Sequence, residues 1–259
     1  MALKIGLRLE DLRLPIRPAL RKAAQLGVKG VHVNAVGELA PDRLSATGRR
    51  EFLYLVNSLG LTLTGLGFPT RHGYNTPEGL EQRIAAVQKV LALSFALRAP
   101  IVTGAIGRIP EDTAHPTRQI LTEAMTAVGR HADRVGASFA IETGPESGAT
   151  LRSFMESVGA IGLRAAVDPA NLLIKGYDPV QAVRSLGDWT VQAFARDAVR
   201  TDTGDLGREA TPGDGDLDWN EYMGALEEVH FRGWHVIRRE QAQNIDLELT
   251  RAVSFLARY

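Results

Sequence analysis

Glu142 and Asp168 each close a run of apolar, strand-forming residues, SFAIE at 138–142 and LRAAVD at 163–168. A carboxylate at the C-terminal lip of a strand faces the space above the sheet, and neighbouring strands run about 4.8 Å apart. Two such groups can bind a hard divalent cation or work as an acid/base pair. Equally, each can pair with an arginine at the rim and serve structure alone. Farther along, WHVIRRE (234–240) puts Arg238 and Glu240 on one strand face and Arg239 on the other. Val236 and Ile237 are both apolar, so the pattern leaves open which face turns inward. In TVQAFARDA (190–198), Gln192, Phe194 and Arg196 share one face; Ala193, Ala195 and Asp197 share the other. His72, in FPTRHGYN, is a candidate pocket histidine, and His32 lies on the same strand face as Asn34. A lone histidine is more often structural than catalytic. His115, His131, His230 and His235 are assigned no chemistry, and no HExxH-like spacing occurs.

These residues need a scaffold that brings strand ends together. Short β-branched or apolar runs alternate with longer segments of helical period, which is the mark of repeated βα units. Strands are predicted at 4–9, 30–35, 61–68, 100–106, 138–144, 163–169, 190–198 and 234–240. Amphipathic helices are predicted between them, as over 77–97 and 117–136, the latter with Gly136 as C-cap. Eight strands, each followed by a helix, give a single (β/α)8 TIM barrel over residues 1–259. A doubly wound sheet is disfavoured because no glycine-rich phosphate loop follows the first strand. In a (β/α)8 barrel the chemistry sits where strands end and βα loops begin. The stretch 197–219 is too long for a mere connector and is expected to be a lid or a wall of the pocket.

The whole chain narrows the function further. It has 259 residues, 44% hydrophobic and 23% charged, with 30 basic and 30 acidic side chains. That balance gives no electrostatic reason to expect nucleic acid or an anionic membrane as partner. With no cysteine, disulfides and thiolate zinc sites are excluded. The start MALKIGLRLEDLRLP does not read as a signal peptide, and no apolar run approaches the roughly 20 residues of a membrane helix. The expectation is a soluble, cytoplasmic protein.

The motifs AIETGPES (140–147), AVDPANLLIKGYDP (166–179), ARDA (195–198), PGDGDLDW (212–219) and VIRRE (236–240) occur in this order. Together they resemble the sugar phosphate isomerase/epimerase superfamily of xylose isomerase-like TIM barrels, over nearly the whole chain. The resemblance implies one divalent metal (Mn, Mg, Co or Zn) held by a glutamate, an aspartate, a histidine and a second glutamate from strands five to eight. The two glutamates would shuttle protons beside a sugar carbonyl. Glu142 matches the first glutamate and Asp168 the aspartate. The histidine of an HxKD-type pattern falls on Phe194, and the glutamate of an IERE-type pattern falls on Arg238. A THIG-like histidine after strand four is replaced by Ala105. Phenylalanine cannot ligate a metal, and a guanidinium is a permanent cation without a lone pair to offer. The metal set, Glu142 and Asp168, is therefore incomplete. Arg238 is expected to stand in for the cation through charge-assisted bonds to Glu142 or Asp168. A slip of one or two positions in the strand-eight match would instead put Glu240 in the metal site.

Asn171, Arg196 and Asp197 keep polar family positions. With His72 and Arg238, they are the expected contacts to a small hydroxylated ligand, a sugar or polyol. The resemblance implies an isomerase or epimerase using Glu142, with Glu240, for proton transfer, in a chain that could form a homo-oligomer. The alternative is a non-catalytic or regulatory sugar-binding barrel. Metal-dependent phosphodiester cleavage, as in endonuclease IV of the same fold, would need a histidine-rich metal cluster and a basic groove. The sequence shows neither.

Overall fold

The computed structural model describes residues 3–200 and 207–259. Seven parallel strands run in chain order: β1 (Ile5–Arg8), β2 (Gly30–Asn34), β3 (Thr62–Gly67), β4 (Ile101–Gly104), β5 (Ser138–Glu142), β6 (Leu163–Val167) and β7 (Thr190–Ala195). A short antiparallel pair follows, β8 (Asp197–Val199) with β9 (Arg208–Ala210), and then β10 (His235–Ile237). β10 pairs with both β7 and β1, closing an eight-stranded parallel barrel of order β1-β10-β7-β6-β5-β4-β3-β2. Helices α1 (Ile16–Gln25), α2 (Ala46–Ser58), α3 (Leu80–Ala96), α4 (Pro116–Val135) and α5 (Gly148–Val158) return the chain after β1 to β5. The pair α6 (Pro169–Ile174) and α7 (Pro179–Leu186) follows β6, with α8 (Trp219–Glu228) after β9 and α9 (Ile245–Leu256) after β10. This is the (β/α)8 barrel that the alternation predicts.

Local signals set the helix ends. Pro116 opens α4, where its missing N–H costs nothing, and Gly136 closes it in the left-handed region at φ 73°. Asp168, Asp178 and Asp218 each accept backbone N–H groups as N-caps of α6, α7 and α8. The main core packs helices against the outer strand faces, and a smaller cluster of Ala140, Ala166, Phe194 and Val236 fills the barrel interior. Gly67 on β3 is required by a close approach: a Cβ there would lie 2.1 Å from Asn34 Oδ1. No helix among the described residues is long and apolar enough to cross a membrane.

All eight barrel strands are shorter than expected, and three of the differences bear on the site. The predicted strand 190–198 breaks at Arg196, because Asp197 turns the chain into the β8–β9 hairpin. Strand 163–169 stops at Val167, since Asp168 spends its carboxylate on capping α6. Strand 234–240 pairs only over His235–Ile237, leaving Arg238 to Glu240 free to enter ion pairs. Within the long stretch 197–219, residues 197–199 and 208–210 form that hairpin, and 201–206 lie outside the described residues.

Candidate active site

Strand periodicity explains how the site is populated. The interior cluster takes Ala140, Ala166, Phe194 and Val236 from β5, β6, β7 and β10. Two residues on along the same faces come Glu142, Asp168, Arg196 and Arg238, one layer nearer the C-terminal rim. This settles the inward face of the last strand, with Val236 and Arg238 inside and Ile237 and Arg239 outside. On the other half of the barrel, β1 to β4 supply Arg8, His32, Asn34, Gly67 and Thr103.

Between the two halves lies a cavity of about 420 Å³, whose lining includes Arg8, Glu10, His32, Glu142, Phe194, Arg238 and Glu240. Arg238 sits among the acids. Its Nη1 donates to Glu142 Oε2 at 2.9 Å and stands 3.6 Å from Asp168 Oδ2, while Nη2 donates to Glu240 Oε1 at 2.7 Å. Its guanidinium lies 5.2 Å from the centre of the Phe194 ring, a cation–π contact. Arg196, 3% exposed, donates to Asp168 Oδ2 at 2.7 Å, Asn171 Oδ1 at 3.0 Å and Glu209 Oε1 at 3.0 Å. Arg8 reaches Glu240 at 3.0 Å and pairs with Asp11. Arg239 pairs with Glu209 at 2.7 Å and with Glu248. The result is one connected network of arginines and carboxylates around the rim.

The electrostatics follow from that network. Burial disfavours charge on Arg238, but Glu142, Asp168 and Glu240 outweigh it and hold the guanidinium more firmly protonated than usual. Burial alone would raise the Glu240 carboxyl. Arg238 and then Arg196, with Arg8 behind them, pull it down to about 2. His32 is buried, with Nε2 3.3 Å from Thr103 Oγ1. Burial first, and then the nearby Arg8 and Arg238, lower its pKa to about 3, so it is a neutral imidazole at ordinary pH.

As arranged, these groups do not fit a divalent cation. Both Asp168 oxygens are committed, Oδ1 to the Asn171 N–H and Oδ2 to Arg196. Glu142 Oε2 is bonded to Arg238, and Phe194 brings only carbon. Among the described residues no group of three or more histidine or acidic side chains could hold a metal ion.

The structure brings Glu142, Asp168, Asn171, Arg196, Arg238 and Glu240 together. His72 is exposed and outside the cavity lining. Asp197 is fully buried and faces away from the cavity. Its carboxylate accepts the backbone N–H groups of Ala198, Gly213, Gly215 and Leu217 and the indole N–H of Trp219. The described part of the 197–219 stretch does not line the cavity either; it backs the site through Glu209. Arg8 and Glu10, which do line it, stand at and just past the end of β1, respectively. The rule that singles out Glu142, a carboxylate at a strand's C-terminal end, applies equally to Glu10. Glu209, by contrast, lies in the middle of the short strand β9, in a stretch with no sequence pattern to mark it.

The family model for xylose isomerase-like TIM barrels matches residues 20–259. No curated protein matches the sequence. Among solved structures, a xylose isomerase domain protein from Planctomyces limnophilus superposes with a TM-score of 0.87 at 23% identity, covering 98% of this chain and 95% of that one. A D-psicose 3-epimerase solved in the presence of D-fructose gives 0.77 at 16% identity, covering 98% of each chain. A xylose isomerase-like protein from Mycobacterium smegmatis in complex with magnesium gives 0.80 at 14%, covering 99% and 96%. At these identities the structural matches speak for the fold, while the family model's span over more than nine-tenths of the sequence settles membership: the chain belongs to the xylose isomerase-like TIM barrel family.

Proposed function

We propose that this chain is an isomerase or epimerase of a small sugar- or polyol-type carbonyl compound, and that Arg238 takes over the electrostatic work a divalent ion does in such a site. The observation that carries the proposal is the Arg238 guanidinium, held 2.9 Å from Glu142 at the wall of a ligand-sized cavity. Glu142 would remove the proton from the carbon beside the carbonyl. The negative charge then develops on the carbonyl oxygen, where a fixed, partly desolvated guanidinium is worth far more than in water. Glu240 is a poor proton carrier at neutral pH, since its pKa near 2 makes it a weak base. It serves better as the counter-charge that fixes Arg238 and Arg8.

The test is solvent deuterium exchange into D-psicose, D-fructose and D-tagatose by protein stripped with a chelator. Exchange should proceed without added metal, and Glu142→Gln should slow it at least about 100-fold. No exchange, or exchange that depends on added metal, would overturn the proposal. One observation favours a second reading, a sugar-binding barrel without catalysis: the Glu142 oxygen nearest Arg238 is already spent on that bond. Ligand binding by calorimetry without any exchange would select it.

A further inference from the structure

Proton transfer at carbon needs a second carrier if the product is to differ in configuration, and Glu240, tied to three arginines, does not suit that role. Glu10 does. It lies in the short turn Leu9–Leu12 directly after β1, and it lines the same cavity as Glu142. In the closed strand order, β1 and β5 are separated by three strands either way round. Glu10 and Glu142 therefore approach the cavity from diametrically opposite walls. Glu10 is held in place by one oxygen, Oε1, which accepts the Asn34 N–H at 2.6 Å. The other oxygen, Oε2, is buried and has no hydrogen-bond partner among the described residues. A buried carboxyl oxygen left without a partner is costly, and a proton carried there lowers that cost.

We propose that Glu10 is the second proton carrier of this cavity, acting on the face of the bound carbon opposite to the one that Glu142 deprotonates. The proposal rests on the proton-transfer reading above. The Glu142 carboxylate takes the proton, and the electron pair of the C–H bond moves toward the carbonyl oxygen, giving an enediolate beside Arg238. Glu10 then delivers its proton to the same carbon from the other side as the carbonyl re-forms. Glu10 is left as carboxylate and Glu142 as acid, and both reset by exchange with water. The surroundings of Glu10 suit a donor. Burial raises its pKa; the Asn34 N–H and Arg8 work against that, and Asp11 adds to it. On the neighbouring strand, the neutral His32 adds no charge.

The experiment follows exchange and epimer formation separately, in D2O, with the same three ketoses and the full chain. Wild type should form the epimer carrying solvent deuterium. Glu10→Gln, which keeps the acceptor for Asn34, should lose epimer formation at least about 100-fold while solvent deuterium still enters the recovered starting ketose through Glu142. Epimerisation at the wild-type rate in E10Q overturns the role, as does parallel loss of exchange and epimerisation in a variant with native circular dichroism. Should E10Q lose the fold, E10D carries the test. It should retain exchange and slow epimerisation at least about tenfold, and wild-type behaviour in both overturns the role. If wild type neither exchanges nor epimerises any of the three, the parent reading falls, and the role of Glu10 falls with it.

Discussion

At the scale of single residues, Arg238 decides what the site can do. A guanidinium between Glu142, Asp168 and Glu240 supplies charge without an exchangeable ion, and its position is fixed by bonds to both glutamates. If the arginine occupies the place of a cation, exchanging it for an acid should create a cation site. Arg238→Glu combined with Phe194→His would present Glu142, one imidazole and one new carboxylate around the same point, a donor set suited to a first-row divalent metal even with Asp168 still bonded to Arg196. Calorimetry with Mn²⁺ should show binding at least about 100-fold tighter than wild type, equivalent to ~2.7 kcal/mol. Equal affinities in the two proteins would mean that the arginine does not stand where a metal would. Removing the arginine without an ion to replace it should be costly, because it strands buried carboxylates.

Among the elements, the β8–β9 hairpin and the loop after it are organised by one side chain. Asp197 gathers four backbone N–H groups and one indole N–H, two on Oδ1 and three on Oδ2. Asp197→Asn must turn an amide NH2 toward N–H donors whichever way it is flipped. Urea unfolding should show a loss of about 2–4 kcal/mol. Asp216→Asn is the control, because its side chain is 40% exposed and bonds mainly to the Arg200 N–H; it should cost under about 1 kcal/mol. A D197N loss no larger than that of D216N would remove Asp197 from this role. The same residue shows what the sequence could convey. Strand and helix positions were legible because period and caps are local, and Glu142 and Asp168 were legible because strand ends mark them; Arg238 was reached only through the family resemblance, since Val236 and Ile237 leave the inward face of its strand open. That Asp197 points into its own loop was not legible, since side-chain alternation past a strand end is decided by tertiary contacts. His72 lies exposed outside the cavity lining for a related reason: a loop after a barrel strand can face solvent as readily as the pocket. Glu10 was readable by the strand-end rule, but its orphaned oxygen shows only in three dimensions.

For the molecule as a whole, equal numbers of basic and acidic residues leave no large net charge near neutral pH, so there the buried groups shape the dependence of stability on pH. Two of them resist protonation and so weaken the fold in acid. His32 and His235 are held neutral by burial, with pKa values lowered to about 3 and about 4. The unfolded chain takes up these protons first, so their contribution is full above about pH 6.5 and is lost as pH falls toward 4 and 3. Glu146 works in the opposite sense. It is 6% exposed, one carboxyl oxygen accepts the Ile109 N–H at 3.4 Å, and the other has no partner among the described residues. Burial raises its pKa, the Ile109 bond and Arg108 oppose that, and the balance rests at about 7 against an ordinary 4.5. Here the unfolded chain gives up the proton first. The contribution is full below about pH 4.5, declines as pH rises, and levels off above about 7, for a total on the order of 3 kcal/mol. Glu146→Gln keeps the shape and removes the titration. The stability of E146Q minus that of wild type, from urea unfolding at a series of pH values, should therefore climb by about 3 kcal/mol between pH 4.5 and 7 and stay flat on either side. A difference that is level across that window would show that Glu146 is ionised in the fold and that Arg108 outweighs its burial.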